Sequence, residues 1–287
     1  MPEACQFKIG AITIALIPNT AEGEYVNLRR FPDFATAGPA EVSLEVRCSQ
    51  VPNVPLDKLA FDSSLGWRLY HSQDRPVIWV RSPDQDPYLV GVFASDYRSG
   101  EIYTKPSQSN PGQYLFPLSY PMGELYMTSL LGTGYGVMQH ACGVIYQGSG
   151  LLFIGEGGAG KTTTARLWES QTGARVLNDD RIIVRKKGSQ FYIYGTPWHG
   201  QGGMALPEEA PLKRIFVLKQ ARSNQAMPIS PVRAASDLLV RSFSPFWSKE
   251  GMSFTLKFLA ELCQQVPCVE LGFVPDSSAV DFVCNLR

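Results

Sequence analysis

Apolar and polar positions alternate in short runs through the first third of the chain. Val42-Ser43-Leu44-Glu45-Val46-Arg47 puts its apolar side chains on one face, the pattern of a half-buried strand. Trp67 to His71 alternates in the same way, and Phe7 to Ile17 carries Ile9, Ile12, Ile14 and Leu16 in an apolar run. Val77 to Val80 and Tyr88 to Phe93 read as further strands, separated by the turn-like segments Ser82 to Pro87 and Asp96 to Gly100. Together these predict an antiparallel sheet module. Lys105 to Gly112, with two prolines and polar filler, is the expected linker. It divides the chain into a smaller β-rich domain, 1–112, and a second domain, 113–287.

Beyond the linker the period changes. Met122 to Gly134 is helix-competent, Val137 to Tyr146 reads as a strand, and Leu151-Leu152-Phe153-Ile154 is an apolar run of the kind buried on both faces. A helix is expected from Thr162 to Glu169 and a strand from Ala174 to Asn178. Arg181 to Lys186 and Gln190 to Tyr194 form an expected hairpin around Lys187-Gly188-Ser189. Ile215 to Leu218 and Val269 to Phe273 are further strands, and Ala234 to Arg241 and Phe254 to Gln265 are helices. Strands alternating with helices predict an α/β domain.

Composition narrows the function classes. Apolar residues make up 44% and charged residues 18%, enough for a core, and general disorder is excluded. The formal net charge is zero, which argues against a protein built mainly for nucleic acid. No stretch approaches the ~20 continuous apolar residues of a membrane helix, so no membrane partner is expected. Met1 to Phe7 lacks the basic and apolar regions of a secretory signal. Cys5, Cys48, Cys142, Cys263, Cys268 and Cys284 are scattered without a CxxC pair, so they read as reduced thiols of a cytoplasmic protein.

The sharpest motif is Gly155-Glu156-Gly157-Gly158-Ala159-Gly160-Lys161-Thr162, which matches GxxxxGK[ST]. An apolar strand precedes it and a helix follows. Glycines let the backbone turn its N–H groups inward, and with the positive end of the helix those groups form an anion cradle. Lys161 would reach the β- and γ-phosphates of a nucleotide, and the Thr162 hydroxyl would ligate Mg²⁺, with Thr163 beside it. The alternative is a glycine-rich turn with no ligand. Asp179 and Asp180 follow at the end of a strand, where a P-loop enzyme needs a carboxylate for Mg²⁺ and a phosphotransferase gains from a base. On an extended strand the two would point apart, so only a turn brings both to one site. They also fit a solvated turn or a helix cap. His140 lies on the strand before the P-loop strand. A lone histidine is more often structural, but a strand adjacent to the P-loop would deliver it near the phosphates and near Asp179.

The run from His140 through the P-loop to Asp179-Asp180-Arg181 resembles the catalytic domain of HPr kinase/phosphorylases and HPr-kinase-related proteins. Gly195-Thr196-Pro197-Trp198-His199-Gly200 and Ala210-Pro211-Leu212 look like the related-kinase branch. The resemblance covers roughly Pro117 to Leu218. It implies a P-loop domain of the phosphoenolpyruvate carboxykinase/HPr kinase type, and transfer of the ATP γ-phosphate to a hydroxyl of a peptide, protein or small molecule. In this chain it implies Asp179 as base, His140 beside that base or the phosphate, and Thr162 and Asp180 as Mg²⁺ ligands. It further implies a homo-oligomer. The family's glycine-rich signature with a metal-binding glutamate is not recognisable; GTPWHGQGG, from Gly195 to Gly203, stands in its place.

Around this set, Thr196, Trp198 and His199 are candidates for the acceptor side, and Arg181, Arg233 and Arg241 for phosphate contact. Two rival readings remain: a non-catalytic nucleotide-binding sensor, and a carboxykinase-like enzyme acting on a small acid.

Overall fold

The structure is a computed structural model that describes residues 4–19, 25–48, 57–64, 66–82, 86–106 and 113–286. Residues 107–112 of the expected linker and 83–85 of the expected turn lie outside the described residues. The protein is a mixed α/β molecule with two large sheets. Its contacts divide it into two compact units, Met1–Lys8 with Ile12–Thr133, and Ile9–Ala11 with Gly134–Arg287.

The first unit contains β1 (Cys5–Ile9), β2 (Ile12–Asn19), β3 (Tyr25–Val26), β4 (Val42–Cys48), β5 (Lys58–Asp62), β6 (Trp67–Ser72), β7 (Arg75–Val80), β8 (Leu89–Phe93), β9 (Ser99–Thr104), β10 (Gln113–Tyr114) and helix α1 (Met122–Leu130). Eight strands form one sheet in the order β1-β2-β4-β9-β8-β7-β6-β5, and β3 pairs with β10 separately. β4, β6, β7 and β8 fall where the alternation places them, the Phe7 to Ile17 run divides into β1 and β2, and β5 and β9 went unread. The sheet is not antiparallel throughout. β2 pairs parallel to β4, and β4 parallel to β9. Alternation records which face of a strand is buried and carries no information on the direction of its neighbour.

Helix α1 belongs to this first unit, so the division falls at Thr133/Gly134 rather than at residue 112. The cause is packing. All nine residues of α1 are buried, the Tyr126 ring lies 5.1 Å from that of Phe93, and its hydroxyl donates to the Tyr97 carbonyl at 2.9 Å.

The second unit contains β11 (Val137–Tyr146), β12 (Ser149–Ile154), α2 (Lys161–Glu169), β13 (Ala174–Asn178), β14 (Arg181–Lys187), β15 (Gln190–Tyr194), β16 (Glu209–Gln220), β17 (Gln225–Pro228), α3 (Pro231–Leu239), β18 (Ser242–Phe243), α4 (Lys249–Gln265), β19 (Cys268–Phe273) and α5 (Ser277–Cys284). The sheet runs β12-β11-β14-β15-β16-β19-β17, and β12 also pairs parallel to β16, which closes part of the sheet on itself. Two clusters fill its faces. One joins Leu152, Ile154, Ile182 and Val217 to Leu238, Phe258, Leu259 and Leu262 of α3 and α4. The other joins Phe153, Phe216 and Leu218 to Ala165 and Trp168 of α2 and Ala279, Val280 and Val283 of α5.

Strand β11 organises the site. Its first half, Val137 to His140, pairs with β14, while Gly143 to Tyr146 pairs with β13. Asp179 and Asp180 are therefore the corner where the chain leaves β13 and enters β14. β12 pairs with the same region of β11, Ala141 opposite Ile154, so His140 lies beside the point where the glycine loop begins.

Candidate functional site

The glycine octet forms the turn between β12 and α2, in strand–loop–helix order. Gly158 and Gly160 have φ of 78° and 107°, values that side chains other than glycine's rarely tolerate. A Cβ at Gly160 would also stand 2.5 Å from the Phe273 ring. Ser230, Ser248 and Asp276 cap α3, α4 and α5 with their side chains, whereas α2 follows Gly160 and has no side-chain cap. Its first N–H groups are thus left for another acceptor, which is the physical basis of anion binding at a helix N-terminus.

Lys161 is folded back onto the loop. Its Nζ donates to the carbonyls of Gly155 and Glu156, at 2.9 and 3.2 Å, and the residue is 7% exposed. Burial lowers its pKa below the ordinary lysine value, and the nearby Arg241 charge adds to this, while Asp180 acts in the opposite sense. Gln220, at the end of β16, donates to the Gly158 carbonyl at 3.0 Å and pins the loop from the other side. Thr162 is half-buried and Thr163 exposed on the first turn of α2.

The two aspartates separate at the corner, as extended residues would. Asp179 is 2% exposed, and its Oδ1 and Oδ2 accept from the backbone N–H groups of Gly200 and Gly202, at 3.1 and 2.8 Å. A Cβ on Gly202 would lie 2.6 Å from Asp179 Oδ2. The glycines of GTPWHGQGG thus permit close approach to a carboxylate of the protein's own. Asp180 turns the other way. Its Oδ1 lies 2.8 Å from His140 Nδ1, and it pairs with Arg181, whose guanidinium sits 5.4 Å above the Phe243 ring. Burial opposes ionisation of Asp180, but the His140 hydrogen bond and the charges of Arg181, His140 and Lys161 outweigh it, and the carboxyl is held below its usual range.

The carboxylate beside His140 is that of Asp180, not Asp179. Asp179 has both oxygens engaged by backbone N–H donors. Thr196 and Trp198 are likewise buried and do not line an acceptor surface. They complete a network around Asn178. Asn178 Nδ2 donates to the carbonyls of Thr196 and Trp198, at 2.9 and 3.0 Å, and its Oδ1 accepts from the N–H groups of Asp180 and Arg181, at 2.7 and 2.8 Å. His199 is exposed, and its Nδ1 meets the Gly200 carbonyl.

His140, Gly155, Glu156, Gly157 and the segment Val240 to Phe243 line a cleft of about 500 Å³. β18 brings that segment in, pairing Phe243 with Met138 and Ser242 with Gln139, and His140 N–H donates to the Arg241 carbonyl at 2.7 Å. Arg241 Nη1 donates to the Asp237 carbonyl at 2.7 Å, so its guanidinium is held by α3 beside the loop. Arg233, by contrast, pairs with Glu270 and Asp237 and does not line the cleft. Sequence reading left Asn178 as the end of a strand and gave Phe243 no role. A polar residue immediately before Asp-Asp at a strand end is the signal that an Asx-type hub was there to be found.

A divalent ion would find little resident chelation here. Among the described residues no group of three or more His, Cys, Asp or Glu could hold a metal ion. A metal that arrives on nucleotide phosphates needs only one or two protein ligands. The half-buried Thr162 offers a hydroxyl, whereas both oxygens of Asp180 are engaged by His140 and Arg181. Among the described residues no helix is long and apolar enough to cross a membrane. The cysteines are free, with Cys48, Cys142, Cys263 and Cys268 buried.

A family model described as SynChlorMet cassette protein ScmC matches residues 125–265, just under half of the chain. No curated protein matches the chain significantly. Among solved structures, the chain is similar to the Hpr(Ser) kinase/phosphatase from Coxiella burnetii, at 14% identity and a TM-score of 0.30, over 52% of this chain and 94% of that one.

Proposed function

We propose that the protein is an ATP- and Mg²⁺-dependent phosphotransferase that moves the γ-phosphate to a hydroxyl of a peptide, protein or small molecule. The observation that carries this reading is the common cleft of the glycine loop and His140, with His140 oriented by an ionised carboxylate. The loop amides, the start of α2 and Lys161 bind the phosphates, Lys161 leaving its two carbonyls to do so. Thr162 would hold Mg²⁺, which when bound neutralises charge on the phosphate oxygens. Arg241 offers a further positive group at the same cleft.

The Asp180 contact keeps the His140 proton on Nδ1 and leaves Nε2 as the acceptor, the logic of a carboxylate-oriented histidine base. The acceptor hydroxyl attacks the γ-phosphorus, the bond to the β-phosphate oxygen breaks, and ADP departs. The hydroxyl proton passes to Nε2, and Asp180 stabilises the imidazolium that forms. Positioning and charge neutralisation do most of the work.

A test is direct. ATP labelled on the γ-phosphate is presented with Mg²⁺ and a set of serine and threonine peptides and small hydroxyl compounds. Label on an acceptor, lost in Lys161→Ala, is the expected result. Nucleotide bound tightly with no transfer to any acceptor contradicts the reading and favours a nucleotide-binding sensor.

A further inference from the structure

The cleft carries a negative charge at the very loop that should attract anions. Glu156, the second residue of the octet, is 87% exposed, and its Oε1 lies 3.8 Å from Arg241 Nη2. Arg241 is only 11% exposed and is anchored from behind by Asp237, through a carbonyl contact at 2.7 Å and a carboxylate contact at 3.2 Å. Asp237 in turn lies 3.7 Å from Arg233, which pairs with Glu270, and Glu270 lies 3.0 Å from Lys219. The buried Arg241 Nε makes no hydrogen bond. A fixed guanidinium therefore presents one edge to the loop, and the group on that edge is a mobile carboxylate from the loop itself.

We propose that Glu156 is a specificity-determining residue of the phosphate cradle, favouring metal-complexed nucleotide polyphosphate over small bare anions such as inorganic phosphate. The proposal rests on the nucleotide-binding reading above. An incoming anion must displace Glu156 from Arg241 and then sit beside the displaced carboxylate. Inorganic phosphate brings its full charge and gains only one set of amide contacts. A metal-complexed polyphosphate brings part of its charge already neutralised and gains contacts along the whole loop and to Lys161. The carboxylate thus penalises the first ligand more than the second. Because Glu156 is solvated and Arg241 is held by Asp237 in any case, removing the carboxylate charge leaves the loop's own hydrogen bonds intact.

Isothermal titration of the full chain with inorganic phosphate, with ATP in a chelator, and with ATP plus Mg²⁺ tests this, comparing the wild type with Glu156→Gln. At the low dielectric penalty of an exposed site, removing one charge near a phosphate should tighten inorganic phosphate and metal-free ATP by roughly three- to tenfold. The Mg²⁺ complex should change less than about twofold. The gain should shrink on raising salt from about 10 to about 150 mM. Equal factors for all three ligands, or no gain for phosphate, would overturn the proposal while leaving nucleotide binding in place. If the wild type fails to bind ATP with Mg²⁺ at all, the nucleotide reading falls and this proposal with it.

Discussion

Adjacent aspartates carry different jobs here, and the difference is readable in what each oxygen touches. Asp179 is enclosed by the Gly200 and Gly202 amides, so Asp179→Asn should act mainly on folding. Replacing an acceptor-only carboxylate by an amide turns one accepting oxygen into a donor facing an N–H, at about 2–3 kcal/mol by urea unfolding. Asn178→Ala is expected to cost a similar amount or more, about 2–4 kcal/mol, because two backbone N–H groups and two carbonyls lose their partner. Chemical denaturation checks both; a loss below about 0.5 kcal/mol for Asn178→Ala would show the hub to be incidental.

Asp180 allows a statement about pH. Its carboxyl is held below the usual aspartate range, so its ionised form contributes stability that is full above that range and lost as the pH falls through the lowered native value. In metal-free protein, the stability difference between wild type and Asp180→Asn should narrow only below about pH 4. Narrowing already between about pH 7 and pH 5 would argue against an ionised Asp180 in the native state. The identity of these residues was legible in the sequence, including the warning that extended neighbours point apart. Which partner each meets was not, because it depends on the loop from Gly195 to Gly203, distant in sequence, whose Gly200 and Gly202 amides bond Asp179.

Elements were legible wherever a period and a boundary coincide. β11 and β13 occupy the predicted spans, and the hairpin of β14 and β15 turns at the predicted glycine. β16 runs through Pro211 to twelve residues, longer than its apolar centre suggests, because β12, β15 and β19 all supply pairing partners. Helix α5 went unread; eight residues are a short window for periodicity, although Asp276 caps it. The glycine turn between β12 and α2 depends on two glycines with positive φ. Gly160→Ala meets both a strained backbone and the Phe273 ring, and should destabilise by about 2–4 kcal/mol, measured by thermal or urea unfolding. The double variant Gly160→Ala with Phe273→Ala should not recover wild-type stability, since it relieves the clash and not the φ, and it opens a cavity.

At the scale of the whole molecule, strand direction and unit boundary were the features that local pattern could not supply. The parallel pairs β2–β4 and β4–β9 join segments far apart in sequence, and α1 is assigned to the first unit by burial rather than by a change of composition. The residues that line the cleft, His140, Gly155 to Gly157 and Val240 to Phe243, all belong to the second unit, so the chemistry proposed here concerns that unit. Its central claim is that His140 and Asp180, not Asp179, form the proton-accepting pair of a phosphotransfer site. The most direct measurement is the affinity for ATP with Mg²⁺ and the rate of label transfer in Asp180→Asn and Asp179→Asn, each confirmed folded. The account expects Asp180→Asn to lower transfer by about 10²- to 10⁴-fold at an affinity within about threefold of wild type, and folded Asp179→Asn to retain most of its rate. Full transfer by Asp180→Asn, with loss confined to folded Asp179→Asn, would contradict it.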